Sequence, residues 1–234
     1  MNNTEFSQRF DTLVQVHKSK FRLSDDSLLE FDEYEKSVYL TKAQNLIVNE
    51  LAEQFESSEV VRRKLAVLVK TFTTSTQVVS SNKLSPQSIL IQVPDDLLKI
   101  IHESVVIGSS QACYNGNTIN ILPMTHDDYS LQASNPFRKP KLTGLENTAW
   151  RLDTGETLES VEIILPDTAT FTSYTMRYVK NPVPIVLVDL GDISIEGVNT
   201  ATECELDSFQ VQESILDLAV NLALSAISKF GKKE

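Results

Sequence analysis

The feature that most constrains this chain is a change of hydrophobic period near Thr71, reversed once near Ser208. Before Thr71, apolar residues recur every three or four positions, as on one face of an α-helix. Beyond it they cluster in short β-branched runs punctuated by Gly and Pro. From Ser208 the helical spacing returns. Helices and strands segregated in this way argue for an α+β fold. The pattern predicts an N-terminal helical part (residues 1–72), a central antiparallel, sandwich-like β part (73–207) and a C-terminal helix (208–234) packed on the sheet. One cooperative unit is expected.

The first helix is predicted over Thr4 to Lys20, with Phe6, Phe10, Leu13 and Val14 on one face and Val16 adjoining. Phe21 to Phe31 has no clear period and reads as a connector. Asp32 followed by Glu35 forms a capping-box pattern. It opens a helix whose stripe, Leu40, Ala43, Ile47, Leu51 and Phe55, runs without Gly or Pro for about 35 Å at 1.5 Å per residue. Ser57 and Ser58 end that helix and cap a third, Glu59 to Phe72. Its apolar side carries Val61, Leu65, Leu68, Val69 and Phe72; Arg62, Arg63 and Lys64 lie opposite, as a solvated face or as a grip for a phosphate or an acidic neighbour. At the far end Asp207 or Ser208 caps a helix with Val211, Ile215, Leu218 and Leu222 as its main stripe. Val220, Leu224 and Ile227 widen that surface enough for burial on more than one side. Gly231 closes it, and Lys232 and Lys233 suit the negative end of its dipole.

Between these helices, Thr73 to Ser81 and Ser88 to Val93 read as strands, with Ser85 and Pro86 between them. Pro94 followed by two aspartates is a favourable helix start, although Ile100 to Ile107 is β-rich and fits a strand after one turn. Tyr114 to Ile121 carries Asn115-Gly116, a type I′ hairpin signal. Thr125 to Ala133 resembles a short capped helix. It leads into Asn135 to Leu190, which holds the single tryptophan and the prolines at 136, 140, 166, 182 and 184. Trp150 to Asp153, Val161 to Leu165, Thr170 to Val179 and Pro184 to Val188 read there as strands, and Gly155 as a turn. Ile193 to Glu196 makes a further short one.

A chain of 234 residues with 41% hydrophobic and 23% charged residues can bury a sizeable core. Its net charge of −11 argues against a general nucleic-acid binder, which needs excess Lys and Arg to neutralise phosphates. An acidic surface serves solubility, or lets a protein face DNA without sticking to it. Cys113 and Cys204 lie far apart and outside any CxxC pattern, so both are expected as free thiols in a protein made in a cytosol. The opening residues lack the basic start and apolar run of a signal peptide, and no apolar stretch is long enough to span a membrane.

Chemistry-bearing constellations are missing from the pattern. His17, His102 and His126 share no helix face at ligand spacing, and the aspartates beside His126 project in different directions. Asp189, Asp192 and Glu196 lack the spacing of a calcium loop. No GxSxG, GxxxxGK[ST] or GxGxxG occurs, so no enzyme, metal or cofactor is expected. The most informative charges are Arg138, Lys139, Lys141, Arg151, Arg177 and Lys180 around Trp150, a basic group on an acidic chain. They read either as ordinary surface charges or as a surface that grips acidic patches of a partner. Pairing of Trp150–Asp153 with Tyr174–Lys180 would bring Arg151 and Arg177 close. Prolines around these residues favour pre-ordered backbone, which lowers the ordering cost of a contact.

Four stretches resemble the ring structural proteins of crAss-like, Bacteroidetes-infecting tailed phages. They are EFDEYEKSVYLTKAQNLIVNEL from Glu30, MTHDDYSLQASNPFRKPKLTGLENTAWRLD from Met124, YTMRYVKNPVPIVL from Tyr174 and ISIEGVNTATECELDSFQVQESILDLAV from Ile193. The resemblance covers nearly the whole chain, departs from the family pattern near Val211 and at Val183, and includes no catalytic signature. It implies a virion protein forming a ring of about twelve copies through head-to-tail contacts. It also implies a place in the portal-proximal neck or tail barrel, assembled in the host cytoplasm, with the portal and other ring or tail proteins as partners. DNA would pass transiently through the lumen, and no membrane is involved. Two other readings of the residues are a small soluble adaptor or ligand-binding module without a ring, and a hydrolase of unrecognised type.

Overall fold

A computed structural model describes residues 1–18, 29–78, 83–85, 88–135, 137–142, 147–153 and 160–230. The helical and strand-forming periods sort into two units, Met1–Leu68 with Asn181–Glu234, and Val69–Lys180. Pro86, Pro136, Gly155, Gly231, Lys232, Lys233 and most of the expected connector lie outside the described residues.

In the helical unit, α1 (Asn3–His17) starts where the Asn2 side chain accepts a bond from Glu5 N at 2.8 Å. Phe6, Phe10 and Val14 are buried on one face, while Leu13 is half-buried. Helix α2 (Glu33–Glu53) has both halves of the expected capping box: Glu35 N donates to Asp32 Oδ1 at 2.6 Å, and Asp32 N to Glu35 Oε2 at 3.2 Å. A short α3 (Glu59–Lys64) follows, capped by Ser58. Arg63 pairs with Glu59 of the same turn, on the expected solvated face. The last helix, α5 (Phe209–Phe230), packs on α2 and on α1. Val211, Ile215, Leu216, Ala219, Val220, Ala223 and Leu224 are buried, whereas Leu218 and Leu222 are half-buried. Two adjacent residues per turn face inward because the helix touches two neighbours at once.

Pro184–Val188, expected as a strand, forms no ladder; only Val186 bridges, to Thr202. Prolines at 182 and 184 remove two donors, and a polar face of α2 takes over from a partner strand. Thr41 Oγ1 accepts from Ile185 N at 3.1 Å and donates to Ile185 O at 3.2 Å. Leu187 N donates to Ser37 Oγ at 3.0 Å, and Gln44 Nε2 to Val183 O at 2.8 Å. Ser37, Thr41 and Gln44 sit four and three residues apart, hence on one helix face. The extended segment is therefore satisfied by side chains.

The other unit is one mixed, curled seven-stranded sheet in the order β1-β7-β3-β4-β5-β6-β2. Its strands are β1 (Val69–Thr74), β2 (Ser88–Gln92), β3 (Leu97–Ser109), β4 (Thr118–Pro123), β5 (Thr148–Asp153), β6 (Ser160–Ile164) and β7 (Ala169–Lys180). All pairs are antiparallel except β4 with β5, which is parallel and departs from the expected antiparallel arrangement. The curl brings opposite edges near each other: Val78, just after β1, donates to Leu90 O of β2 at 2.8 Å. Alternation then puts every inward residue into one core. Ile89, Ile91, Val105, Ile107, Ile119, Ile121, Ala149, Val161, Ile163, Tyr174 and Met176 meet there, contributed by six strands. Breaks in the β3–β7 register mark irregularities that bend this long pair.

Three local expectations change. The third helix stops at Lys64, passes through a 3₁₀ turn at Ala66–Leu68 and becomes β1, because Val69, Thr71 and Thr73 are β-branched and find a partner in β7. Pro94 opens a tight turn, with Leu97 N bonded to Pro94 O at 3.1 Å, and the β-rich alternative holds as β3. Asn115-Gly116 lies in the eight-residue connection from β3 to β4, and only the glycine has a positive φ, so it is no two-residue type I′ turn. Positive φ at two central residues occurs instead at Glu196 (49°) and Gly197 (85°), between the doubly bonded Ile195 and Val198.

Candidate functional site: a basic concavity on the outer face of β4 and β5

A parallel pair cannot be joined by a tight turn, so β4 and β5 need a long crossover. That crossover carries α4 (His126–Gln132) and the basic segment. Thr125 caps α4 through Asp128 N at 3.1 Å, and His126 Nε2 lies 2.8 Å from Asp153 O at the end of β5. This histidine has a structural partner, and no metal-binding group of His, Cys, Asp and Glu occurs among the described residues. Tyr129 of α4 meets Trp150 edge-on at 6.3 Å, and together with Met124 they cover Leu152 and Ile164. Trp150 is thus a buried anchor for the crossover.

Asn135 then organises the basic turn. Its side-chain oxygen accepts from Phe137 N at 2.9 Å, and its carbonyl from Arg138 N at 3.1 Å and Lys139 N at 3.2 Å. An Asx-type turn of this kind holds the following side chains outward. Phe137 is 87% exposed, with Lys141 Nζ 5.5 Å from its ring centroid. Arg138 and Lys139 are also exposed and form no ion pair with another described residue. A concavity of about 700 Å³ results, lined by Asn120 and Leu122 of β4, Gln132 of α4, Phe137, Arg138, Lys139 and Lys141, and Asn147, Thr148 and Trp150 at β5. Four expected contact residues, Arg138, Lys139, Lys141 and Trp150, therefore share one site. The sequence reading missed Phe137 and Leu122, whose signal was only an apolar residue beside the basic turn and one at an outward strand position.

The other three lie elsewhere. Strands β5 and β7 do not pair, since β4 and β3 stand between them, so Arg151 and Arg177 are not neighbours. Arg177 is exposed on β7, opposite Thr71 and His102. Lys180 is buried at the end of β7, opposite Leu97. Arg151 follows Trp150 by one residue and so projects to the opposite face. Its Nη1 donates to Glu103 Oε2 at 2.5 Å, and its Nε lies 3.4 Å from Asp153 Oδ1 without making a hydrogen bond. Tyr174 OH donates to the other Glu103 oxygen at 2.5 Å. Burial pushes the Glu103 carboxyl up from its ordinary value, against the opposing pull of Arg151 and the Tyr174 hydroxyl. Burial and the Glu103 carboxylate push the Tyr174 hydroxyl up in turn. This cluster joins β3, β5 and β7 from inside the curl.

Among the described residues, neither surface holds a nucleophile aligned with a base. Cys113 is exposed, and burial raises the pKa of half-buried Cys204. What the concavity offers is contact: cations, an exposed aromatic ring and apolar side chains held by a fixed turn. The chain is 34% identical over 245 residues to Ring protein 3 of Bacteroides phage crAss001, covering 100% of both proteins. It is 32% identical to Ring protein 4/5 of the same phage over 247 residues, covering 97% of this chain and 93% of that protein. The family model for phage tail ring protein 3/4 matches residues 1–234, and the chain belongs to that family of structural phage ring proteins.

Proposed function

We propose that copies of this chain assemble head-to-tail into a virion ring of about twelve subunits, stacked between the portal and the tail, through which DNA passes. The observation that carries the reading is the basic concavity with Phe137 exposed on a chain of net charge −11. A ring needs two different, complementary surfaces on each subunit, and this one is basic and apolar where the chain as a whole is acidic. Arginine and aromatic residues are enriched in interfaces, and Arg138 beside Phe137 supplies one of each. The acidic remainder suits a lumen, since phosphates are repelled from such a wall and DNA slides without sticking. The protein's role is structural, and its partners are further copies of itself, the portal and neighbouring ring or tail proteins.

The test is triple charge reversal, Arg138→Glu, Lys139→Glu and Lys141→Glu, with ring formation followed by negative-stain microscopy and sedimentation. The expected result is loss of rings with an unchanged circular dichroism spectrum. Rings formed normally by the variant, or a wild-type chain that sediments only as a monomer, refute the reading.

A further inference from the structure

We infer that the concavity of one copy receives the acidic arm Val186–Thr202 of the next, and this rests on the ring reading above. The arm is folded back on itself by Val186 and Thr202, bonded in both directions at 3.2 and 2.9 Å, and by Leu190 N to Asn199 O at 2.8 Å. Ala201 N to Asp189 Oδ1 at 2.7 Å and the Ile195–Val198 pair, at 2.9 Å both ways, complete it. It is therefore held before any contact forms, which keeps the ordering cost of docking small. Along it, Ile193 is 54% exposed and Val188 43%, beside the exposed carboxylates Asp192 and Glu196. Such exposed apolar side chains flanked by acids are the counterpart of Phe137 and Leu122 flanked by Arg138, Lys139 and Lys141. Two distinct surfaces on one chain, opposite in charge and both with apolar centres, make a heterologous contact of the kind that closes into a ring.

The decisive experiment is a charge swap. Asp192→Lys with Glu196→Lys makes one variant; the triple reversal of Arg138, Lys139 and Lys141 makes a second; a third chain carries both sets. Sedimentation and microscopy measure the fraction of protein in rings. Each singly reversed variant is expected to lose rings by about tenfold, while the doubly reversed chain, or an equimolar mixture of the two single variants, regains most of them. Rings in the arm variant at the wild-type level, with loss only in the basic variant, overturn the arm as occupant and leave the ring reading standing. Loss in both variants without rescue by swap or mixture overturns the pairing as well. A wild-type chain that is always monomeric overturns both readings.

Should a charge variant fold poorly, cross-linking decides without it. Chains of different mass carrying Phe137→Cys or Ile193→Cys, both in a Cys113→Ser background, are mixed and oxidised. A disulfide-linked heterodimer is expected, and its absence from assembled material overturns the inference.

Discussion

Replacing Arg151 with Met leaves the Glu103 carboxyl inside the curled sheet with Tyr174 OH as its remaining donor. Glu103 then either stays charged without its counter-ion or folds protonated. Losing one member of a buried pair costs about 3–5 kcal/mol. Protonation caps that cost: at 1.36 kcal/mol per pH unit and a reference value of 4.5, neutralising the group at pH 7 costs about 3.4 kcal/mol. At pH 5.5 the same calculation gives about 1.4 kcal/mol. The sign follows from linkage. A carboxyl whose folded pKa is raised contributes stability that is complete below its unfolded pKa and is lost as pH rises through the folded value. Arg151 opposes the rise, so its removal lifts the pKa further and extends the loss to higher pH. Thermal unfolding of the variant should therefore fall below the wild type by at most about 7–14 °C at pH 7 and about 3–6 °C at pH 5.5, given 2–4 °C per kcal/mol for a chain this size. Adding Glu103→Gln should recover most of the difference, because a neutral amide still accepts from Tyr174. A gap of equal size at both pH values would refute this account and assign the effect to the lost packing of the arginine stem.

Two further substitutions probe the helical unit. Thr41→Val keeps the shape of the side chain but orphans the buried N–H and C=O of Ile185, and should cost about 2–4 kcal/mol in urea unfolding against about 1 kcal/mol for Thr41→Ser. A valine variant as stable as the serine one would show that the α2 polar face does not hold the segment. Gly197→Ala places a Cβ at φ 85° with open space around it, so the cost is backbone strain alone, about 1–2 kcal/mol, read as a lower melting temperature.

Where local and tertiary preferences agreed, residues alone were enough. Asp32 and Glu35 mark the start of α2, Thr125 to Ala133 contains the short capped helix α4, and Val161–Leu165 and Thr170–Val179 are strands to within a residue or two. Helix caps depend on groups three residues apart, and strand alternation on nearest neighbours, so both are written locally. Misreadings fell where a distant partner chose between two local possibilities. Glu59–Phe72 has helical spacing throughout, yet β7 draws its last residues into a strand. Ser37, Thr41 and Gln44 had no place in the apolar stripe, yet they are buried, because a proline-bearing segment more than a hundred residues away supplies their hydrogen-bond partners.

The amino-acid sequence thus determined the class of fold, the element types away from these conflicts, the lack of catalytic patterns and the basic group on an acidic chain. Strand order was left to the tertiary structure, and strand order separated the arginines. Putting β4 beside β5 in parallel sent the crossover over the outer face, grouping Arg138, Lys139 and Lys141 around the exposed Phe137. The same pairing turned Arg151 inward to Glu103. Charge and hydropathy are properties of single residues, but which charges share a surface depends on pairings between strands far apart in the chain, and no local pattern encodes those.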